Sequence, residues 1–245
     1  MRRVSIIHID ETDSTNNWLR RYTATTAYGT ENGDVAVVAD FQQAGRGCGS
    51  NSWESEWGKN LTFSLLTHPE NLPANQQFRI TEAVSVAICE TLEHSISNKV
   101  MIKWPNDIYV GDRKICGILI ENRLQGSAIR DCIIGIGLNV NQRQFVSDAP
   151  NPVSLWQLTH GDTDRDRLLL RLLKNMERAW QRPTIGDDYR QRLYRLGEPH
   201  RYKDSTGLFT ATITGVASDG RLLLTDEDGW QRDYAFKEIQ YIIQE

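Results

Sequence analysis

Val100-Met101-Ile102-Lys103-Trp104-Pro105-Asn106-Asp107-Ile108-Tyr109-Val110-Gly111-Asp112-Arg113-Lys114-Ile115-Cys116-Gly117-Ile118-Leu119-Ile120-Glu121 holds three strand-like runs in close succession. Val100 to Trp104, Asp107 to Val110 and Lys114 to Glu121 are rich in β-branched and aliphatic side chains, and Gly111-Asp112 supplies a hairpin-like turn. Ile129 to Val140 adds a fourth run, so strands dominate the middle third of the chain.

Outward from that block the pattern alternates. Upstream, Val4 to Ile9 reads as a strand, with Asp13-Ser14-Thr15-Asn16 offering capping side chains to a helix over Trp18 to Thr23. Asp34 to Ala39 and Asn60 to Leu66 read as further strands, the latter with Leu61, Phe63 and Leu65 on one face. Between Gln76 and Ser95, Ile80, Val84, Ile88 and Leu92 recur every four residues, the spacing of an amphipathic helix. Downstream, Pro150 and Pro152 mark a break before a helix over Thr163 to Trp180, opened by Thr163-x-x-Asp166 and carrying Leu168, Leu169, Leu172, Leu173 and Met176 on one face. After Gly197 come short alternating strands: Phe209 to Val216, Arg221 to Thr225, Trp230 to Ala235 and Ile239 to Ile243. These predict a second, small β-barrel domain over residues 197–245, beside a larger α+β domain over residues 1–196.

A chain of 245 residues with 39% hydrophobic and 24% charged side chains has the composition of a packed globular protein. The net charge of -4 calls for no nucleic-acid partner, and no apolar run is long enough for a signal peptide or a membrane span. Cys48, Cys89, Cys116 and Cys132 lack a CxxC pair or histidines at metal-ligand spacing, so they read as free thiols in a reducing compartment, with the cytoplasm as default.

Three segments carry chemistry. Gly45-Arg46-Gly47-Cys48-Gly49-Ser50 lies between predicted strands, and its glycines and Arg46 suit a phosphate or carboxylate, although a surface turn is the plain alternative. It lacks the spacing and terminal Lys-Ser/Thr of a P-loop. Trp53, just beyond it, either stacks on a purine or packs in the core. Lys103 is held among strand residues beside Trp104 and Pro105, either to meet an anion or to snorkel to the surface. Gly135 and Gly137 sit in an apolar strand, where they mark a bulge or a close approach, with Asn139 set to meet a ligand hydroxyl or phosphate.

In order and spacing, Ser14-Thr15-Asn16, Gln42 with Gly45-Arg46-Gly47 and Trp53, Lys103 to Asp107, Arg113 to Glu121, and Gly135-x-Gly137-x-Asn139-Val140 resemble the catalytic domain of biotin protein ligases. The resemblance covers nearly the whole chain. It implies a mixed β-sheet with flanking helices, related to the core of class II aminoacyl-tRNA synthetases, and a C-terminal SH3-like barrel. It further implies two-step chemistry in which ATP, with Mg2+, activates biotin as biotinyl-adenylate, and a lysine of a biotin carboxyl carrier protein or domain displaces AMP. Ser14, Thr15, Asn16, Gln42, Gly45, Arg46, Lys103 and Gly117 would bind biotin. Gly47, Cys48, Asn51, Trp53, Asn106 and Asn139 would bind ATP or the adenylate. Lys103 and Arg46 would be catalytic, stabilising charge on the phosphoryl oxygens. Many relatives carry further arginines in the loop, whereas Cys48-Gly49-Ser50-Asn51-Ser52 is uncharged.

The first strand begins almost at Met1, leaving no room for the helix-turn-helix domain of members that repress transcription. No nucleic acid or membrane is expected as partner, and a homodimer is allowed. The rival readings are a lipoate or octanoate ligase or transferase of the same superfamily, and a biotin-binding scaffold without catalysis.

Overall fold

The computed structural model describes residues 4–25, 33–49, 51–146 and 151–243; Ser50 of the glycine-rich loop and Pro150 of the expected break lie outside them. Strands β1 (Val4–Thr12), β2 (Asp34–Gln42), β3 (Leu61–Thr67), β4 (Val100–Lys103), β5 (Asp107–Val110), β6 (Arg113–Gln125) and β7 (Ala128–Leu138) form one sheet in the order β1-β2-β3-β7-β6-β5-β4. Only β1 and β2 are parallel, so the sheet is mixed. The first strand runs past Ile9 through Asp10, Glu11 and Thr12, because the ladder continues with Glu11 opposite Phe41 and Thr12 opposite Gln42. Charged side chains suit an edge strand.

The two faces of the sheet are chemically different. One carries Ala36, Val38, Leu61, Phe63, Leu65, Ile134, Ile136 and Leu138 into the main core, under helices α2 (Phe78–Leu92) and α4 (Arg165–Trp180). The other carries Val35, Val37, Leu66 and Ile133 beneath helix α1 (Thr15–Thr25). Further along this second face stand the small residues Thr62, Ser64, Gly135, Gly137 and Gly117, which pair with one another across β3, β7 and β6. Large side chains at these positions would fill the face; small ones leave a depression.

Helix α1 begins at Thr15, earlier than the sequence pattern suggests, so Thr15 and Asn16 occupy its first turn. Helix α2 departs from the amphipathic expectation. Ser85, Val86, Cys89 and Thr91 are buried along with Ile80, Val84, Ile88 and Leu92, because α4 packs over the side turned away from the sheet, where Asn175 donates to Thr91 at 2.9 Å. Two short helices, α3 (Leu155–Thr159) and α5 (Ile185–Gln191), have too few turns to show a period. Their signals are local, a Ser154–Gln157 capping box in the first and the buried Tyr189 in the second. The cap of α4 is Asp164, which accepts the Arg167 N–H at 3.0 Å, rather than the expected Thr163 box. Asp164→Ala is expected to lower stability by about 1 kcal/mol in urea unfolding, with Thr163→Ala nearly neutral.

The C-terminal strands β8 (Pro199–Asp204), β9 (Gly207–Val216), β10 (Leu222–Asp226), β11 (Gln231–Tyr234) and β12 (Gln240–Tyr241) form an antiparallel sheet in the order β11-β10-β9-β8-β12. Among the described residues its end strands, β11 and β12, share no ladder, so hydrogen bonds do not close it into a barrel. Tyr202, Ile213, Leu222 and Tyr241 join the main core, and the Trp104 indole donates to the Gly220 carbonyl at 2.9 Å, fastening this sheet beside β4. No helix among the described residues is long and apolar enough to cross a membrane.

Candidate active site

The depression on the second face of the main sheet, walled by the start of α1, the glycine-rich loop and the C-terminal sheet, is a cleft of about 550 Å³. Ser14, Thr15, Asn16, Gln42, Arg46, Gly47, Cys48, Asn51, Trp53, Lys103, Asn106 and Gly117, scattered over a hundred positions, all line it.

One end of the cleft is polar and buried. Gln42, last in β2, accepts the Thr15 N–H at 2.8 Å and the Thr15 hydroxyl at 3.0 Å. Ser64 Oγ lies 2.7 Å from Thr15 Oγ1 and 2.5 Å from Asn16 Oδ1. Asn16 donates to Glu121 at 2.8 Å, which fixes its amide. With Thr15's proton directed to Gln42, the Ser64 proton faces two acceptors, so the cluster has acceptor capacity to spare. Asn16 reaches this place only because Gly135 has no side chain: a Cβ there would stand 2.3 Å from Asn16 Oδ1.

Gly137 plays the same part for Trp53. A Cβ on Gly137 would stand 2.3 Å from Trp53 Cε2, and one on its cross-strand partner Gly117 would stand 3.1 Å from Cζ3. The close approach expected at these glycines is made by the protein's own side chains. The loop itself is a tight hairpin, with Gly47 N–H donating to Asn51 O at 2.7 Å and Trp53 N–H to Gly45 O at 2.9 Å.

Lys103 ends β4 with its Nζ 4.8 Å from the Tyr241 ring centre and 5.5 Å from that of Tyr109. Among the described residues no carboxylate comes within ion-pair range of it, because Asp107 pairs instead with Lys114 at 2.7 Å. Burial lowers the Lys103 pKa, Asp107 opposes that shift, and Lys114 and Arg195 reinforce it. A partly desolvated ammonium held on aromatic faces is poised for an anion. Asn106 is fixed by donation to Ile118 O at 2.6 Å and lies 3.1 Å from Cys48 Sγ.

Two of the expected residues do not line the cleft. Asn139 is buried away from the cleft: its amide donates to Val153 O at 3.1 Å and its carbonyl accepts the Leu155 N–H, tying the end of β7 to α3. Gly45 does not line the wall either; a Cβ there would stand 2.5 Å from the Trp53 carbonyl, so this glycine shapes the hairpin. Arg46 lines the cleft, but its guanidinium donates to Asn17 at 3.1 Å and sits 3.4 Å from Glu121. Residues not foreseen from sequence are Lys114, whose Nζ lies 5.8 Å from the Trp53 ring centre, and Phe236, Lys237 and Tyr241 of the C-terminal sheet. Among the described residues no three His, Cys, Asp or Glu side chains converge as a metal cage.

Residues 9–139, more than half of the chain, match the Biotin/lipoate A/B protein ligase family. The chain is 29% identical to the biotin–[acetyl-CoA-carboxylase] ligase of Mycobacterium tuberculosis, over 88% of its own length and 81% of that protein's. It is 31% identical to the bifunctional ligase/repressor of Bacillus spizizenii over 81% of its length, and the match spans 64% of that relative. The fold is similar to the biotin protein ligase of Aquifex aeolicus, solved in complex with biotin and ATP, with a TM-score of 0.78 at 27% identity, covering 97% of this chain and 99% of that one.

Proposed function

The chain belongs to the biotin/lipoate A/B protein ligase family, and on that premise we propose that it is an ATP-dependent biotin protein ligase. In the first step a biotin carboxylate oxygen bonds to the α-phosphorus of ATP and the bond to pyrophosphate breaks, leaving biotinyl-5'-AMP. In the second, the amine of an acceptor lysine bonds to the acyl carbon and loses a proton, while AMP leaves with the electron pair of the broken C–O bond.

The observation that carries biotin over lipoate or octanoate is the buried polar end of the cleft. With the Asn16 amide donating outward to Glu121 and the Thr15 hydroxyl to Gln42, the Thr15, Asn16 and Ser64 oxygens keep lone pairs free, the complement of a ureido ring with its pair of N–H donors. A dithiolane or an alkyl chain has no N–H to donate to those lone pairs, and covering them with apolar surface would forgo hydrogen bonds worth about 1 kcal/mol each. Lys103 then meets the charge that builds on carboxylate and phosphoryl oxygens, joined by Arg46 once it exchanges Glu121 for the adenylate. Trp53 offers an aromatic face to the adenine, and Asn106 a fixed amide beside it.

With no metal cage among the described residues, Mg2+ would be held on the phosphates of ATP, where it would neutralise charge. In this reading residues 1–196 bind the substrates and perform the chemistry, and residues 197–245 close one wall of the cleft with Phe236, Lys237 and Tyr241. The acceptor is a biotin carboxyl carrier domain, and free thiols at Cys48, Cys89, Cys116 and Cys132 suit a cytoplasmic setting.

Adenylation is reversible, so the purified chain with ATP, Mg2+ and biotin is expected to exchange labelled pyrophosphate into ATP. Exchange supported by lipoate or octanoate but not by biotin would overturn the assignment, and binding of biotin without any exchange would favour a scaffold.

A further inference from the structure

The glycine-rich loop has a charge deficit that another part of the chain is placed to fill. Cys48, Gly49, Asn51 and Ser52 carry no charge, and Arg46 is engaged with Asn17 and Glu121. Against this loop, from between β11 and β12 of the C-terminal sheet, comes Lys237. Its ammonium lies 2.1 Å from where a Cβ on Gly49 would be, against the bare side of a glycine whose own φ of +71 favours that residue. Lys237 lines the same cleft as Lys103 and Arg46, and among the described residues it has no carboxylate partner, since the neighbouring Glu238 pairs with Arg221. Its backbone has φ +71, the left-handed region that a lysine adopts only under constraint. Lys237 is thus a cation without a carboxylate counter-ion, presented to the uncharged loop from a turn that the Glu238 N–H closes on the Ala235 carbonyl at 3.1 Å.

We propose that Lys237 is a nucleotide-binding residue, supplying from the C-terminal sheet the phosphate-directed charge that the glycine-rich loop lacks. The identity of the anion as a nucleotide phosphate rests on the ligase reading. Chemically, the ammonium donates to phosphate oxygens at the mouth of the loop, beyond the reach of Lys103 on its tyrosine faces. The C-terminal sheet thereby takes part in substrate binding and helps hold the loop down on the bound nucleotide.

The test is calorimetric titration of the full-length chain with a non-hydrolysable ATP analogue and, separately, with biotin. Lys237→Gln is expected to weaken analogue binding about 10- to 100-fold, the worth of one charge-assisted hydrogen bond, and to leave biotin binding unchanged. Lys237→Arg should restore most of the loss. Lys237→Gly provides a readout in which structure and function move in opposite directions: relief of the left-handed strain raises Tm, while analogue binding falls as in Lys237→Gln. Unchanged analogue binding in Lys237→Gln, or equal losses for analogue and biotin, would overturn the proposal. Wild-type chain that binds the analogue but shows no biotin-dependent exchange removes the ligase reading and leaves Lys237 as a nucleotide ligand.

Discussion

Lys103→Ala is expected to slow biotin-dependent pyrophosphate exchange about 10²- to 10³-fold, the cost of removing one preorganised group aimed at developing charge, while the chain stays folded. The ammonium touches the faces of Tyr241 and Tyr109 and, among the described residues, pairs with no carboxylate, so its removal strands no partner. Burial lowers its pKa, against the pull of Asp107, so the unfolded chain holds this proton more tightly than the folded one. Wild-type stability therefore rises with pH through the interval between the two pKa values, a rise that Lys103→Ala lacks. Activity runs the other way: the charged form is the useful one, so exchange falls as pH climbs through the folded pKa, below the usual lysine range. Near-normal exchange in Lys103→Ala, with folding verified by circular dichroism, would remove Lys103 from the mechanism. Exchange abolished together with the near-ultraviolet signal would assign the loss to unfolding instead.

The sequence made Lys103 legible and hid Lys114, and the reason is a β-bulge. Strict alternation along β6 would put Lys114 and Cys116 on one face. Between Ile108 and Tyr109 the β5–β6 register shifts, so that Cys116 pairs with Ile108 and Lys114 with Tyr109. The extra residue lets Ile115 and Cys116 both enter the core, and it returns Lys114 and Gly117 together to the cleft. No periodicity in the sequence announces that slip. Strand β8 was obscured for a related reason: of Pro199 to Asp204 only Tyr202 is buried, so the alternation has a single apolar member to display. The contribution of Phe236, Lys237 and Tyr241 to the cleft depends on how two sheets pack, which local pattern does not encode. Asn139 lies off the cleft wall, which the sequence does not show, because an asparagine after two glycines looks the same whether it faces a ligand or ties a strand end. What read well was what depends on neighbours in sequence: the hairpins of the middle third, the leucine face of α4, and the signal of close approach at Gly135 and Gly137.

Those two glycines permit the sharpest division of the cleft into its proposed halves. Gly137→Ala adds one methyl where Trp53 already lies, 2.3 Å from Cε2 and 2.6 Å from Nε1, and the atoms nearest that methyl all belong to the indole. Trp53 sits on a loop and is the element that gives way. Displacement is expected to cost about 1–3 kcal/mol of stability, typical of overpacking. With the indole no longer seated, the stacking surface for adenine goes as well, and a base on an aromatic ring is worth about 1–3 kcal/mol, so KM for ATP should rise about 10- to 100-fold. Gly135→Ala makes the parallel intrusion on Asn16 and the acceptor cluster, so its loss should fall on biotin. The pair of variants separates two substrates by two positions on one strand. The decisive measurement is the double variant Gly137→Ala with Trp53→Ala: if the methyl acts only by unseating the indole, it adds nothing once the indole is gone, and the ATP effects of the two changes are strongly non-additive. Additive losses, or a Gly137→Ala enzyme with unaltered KM for ATP, would mean that Trp53 does not carry the nucleotide and that the adenine lies elsewhere in the cleft.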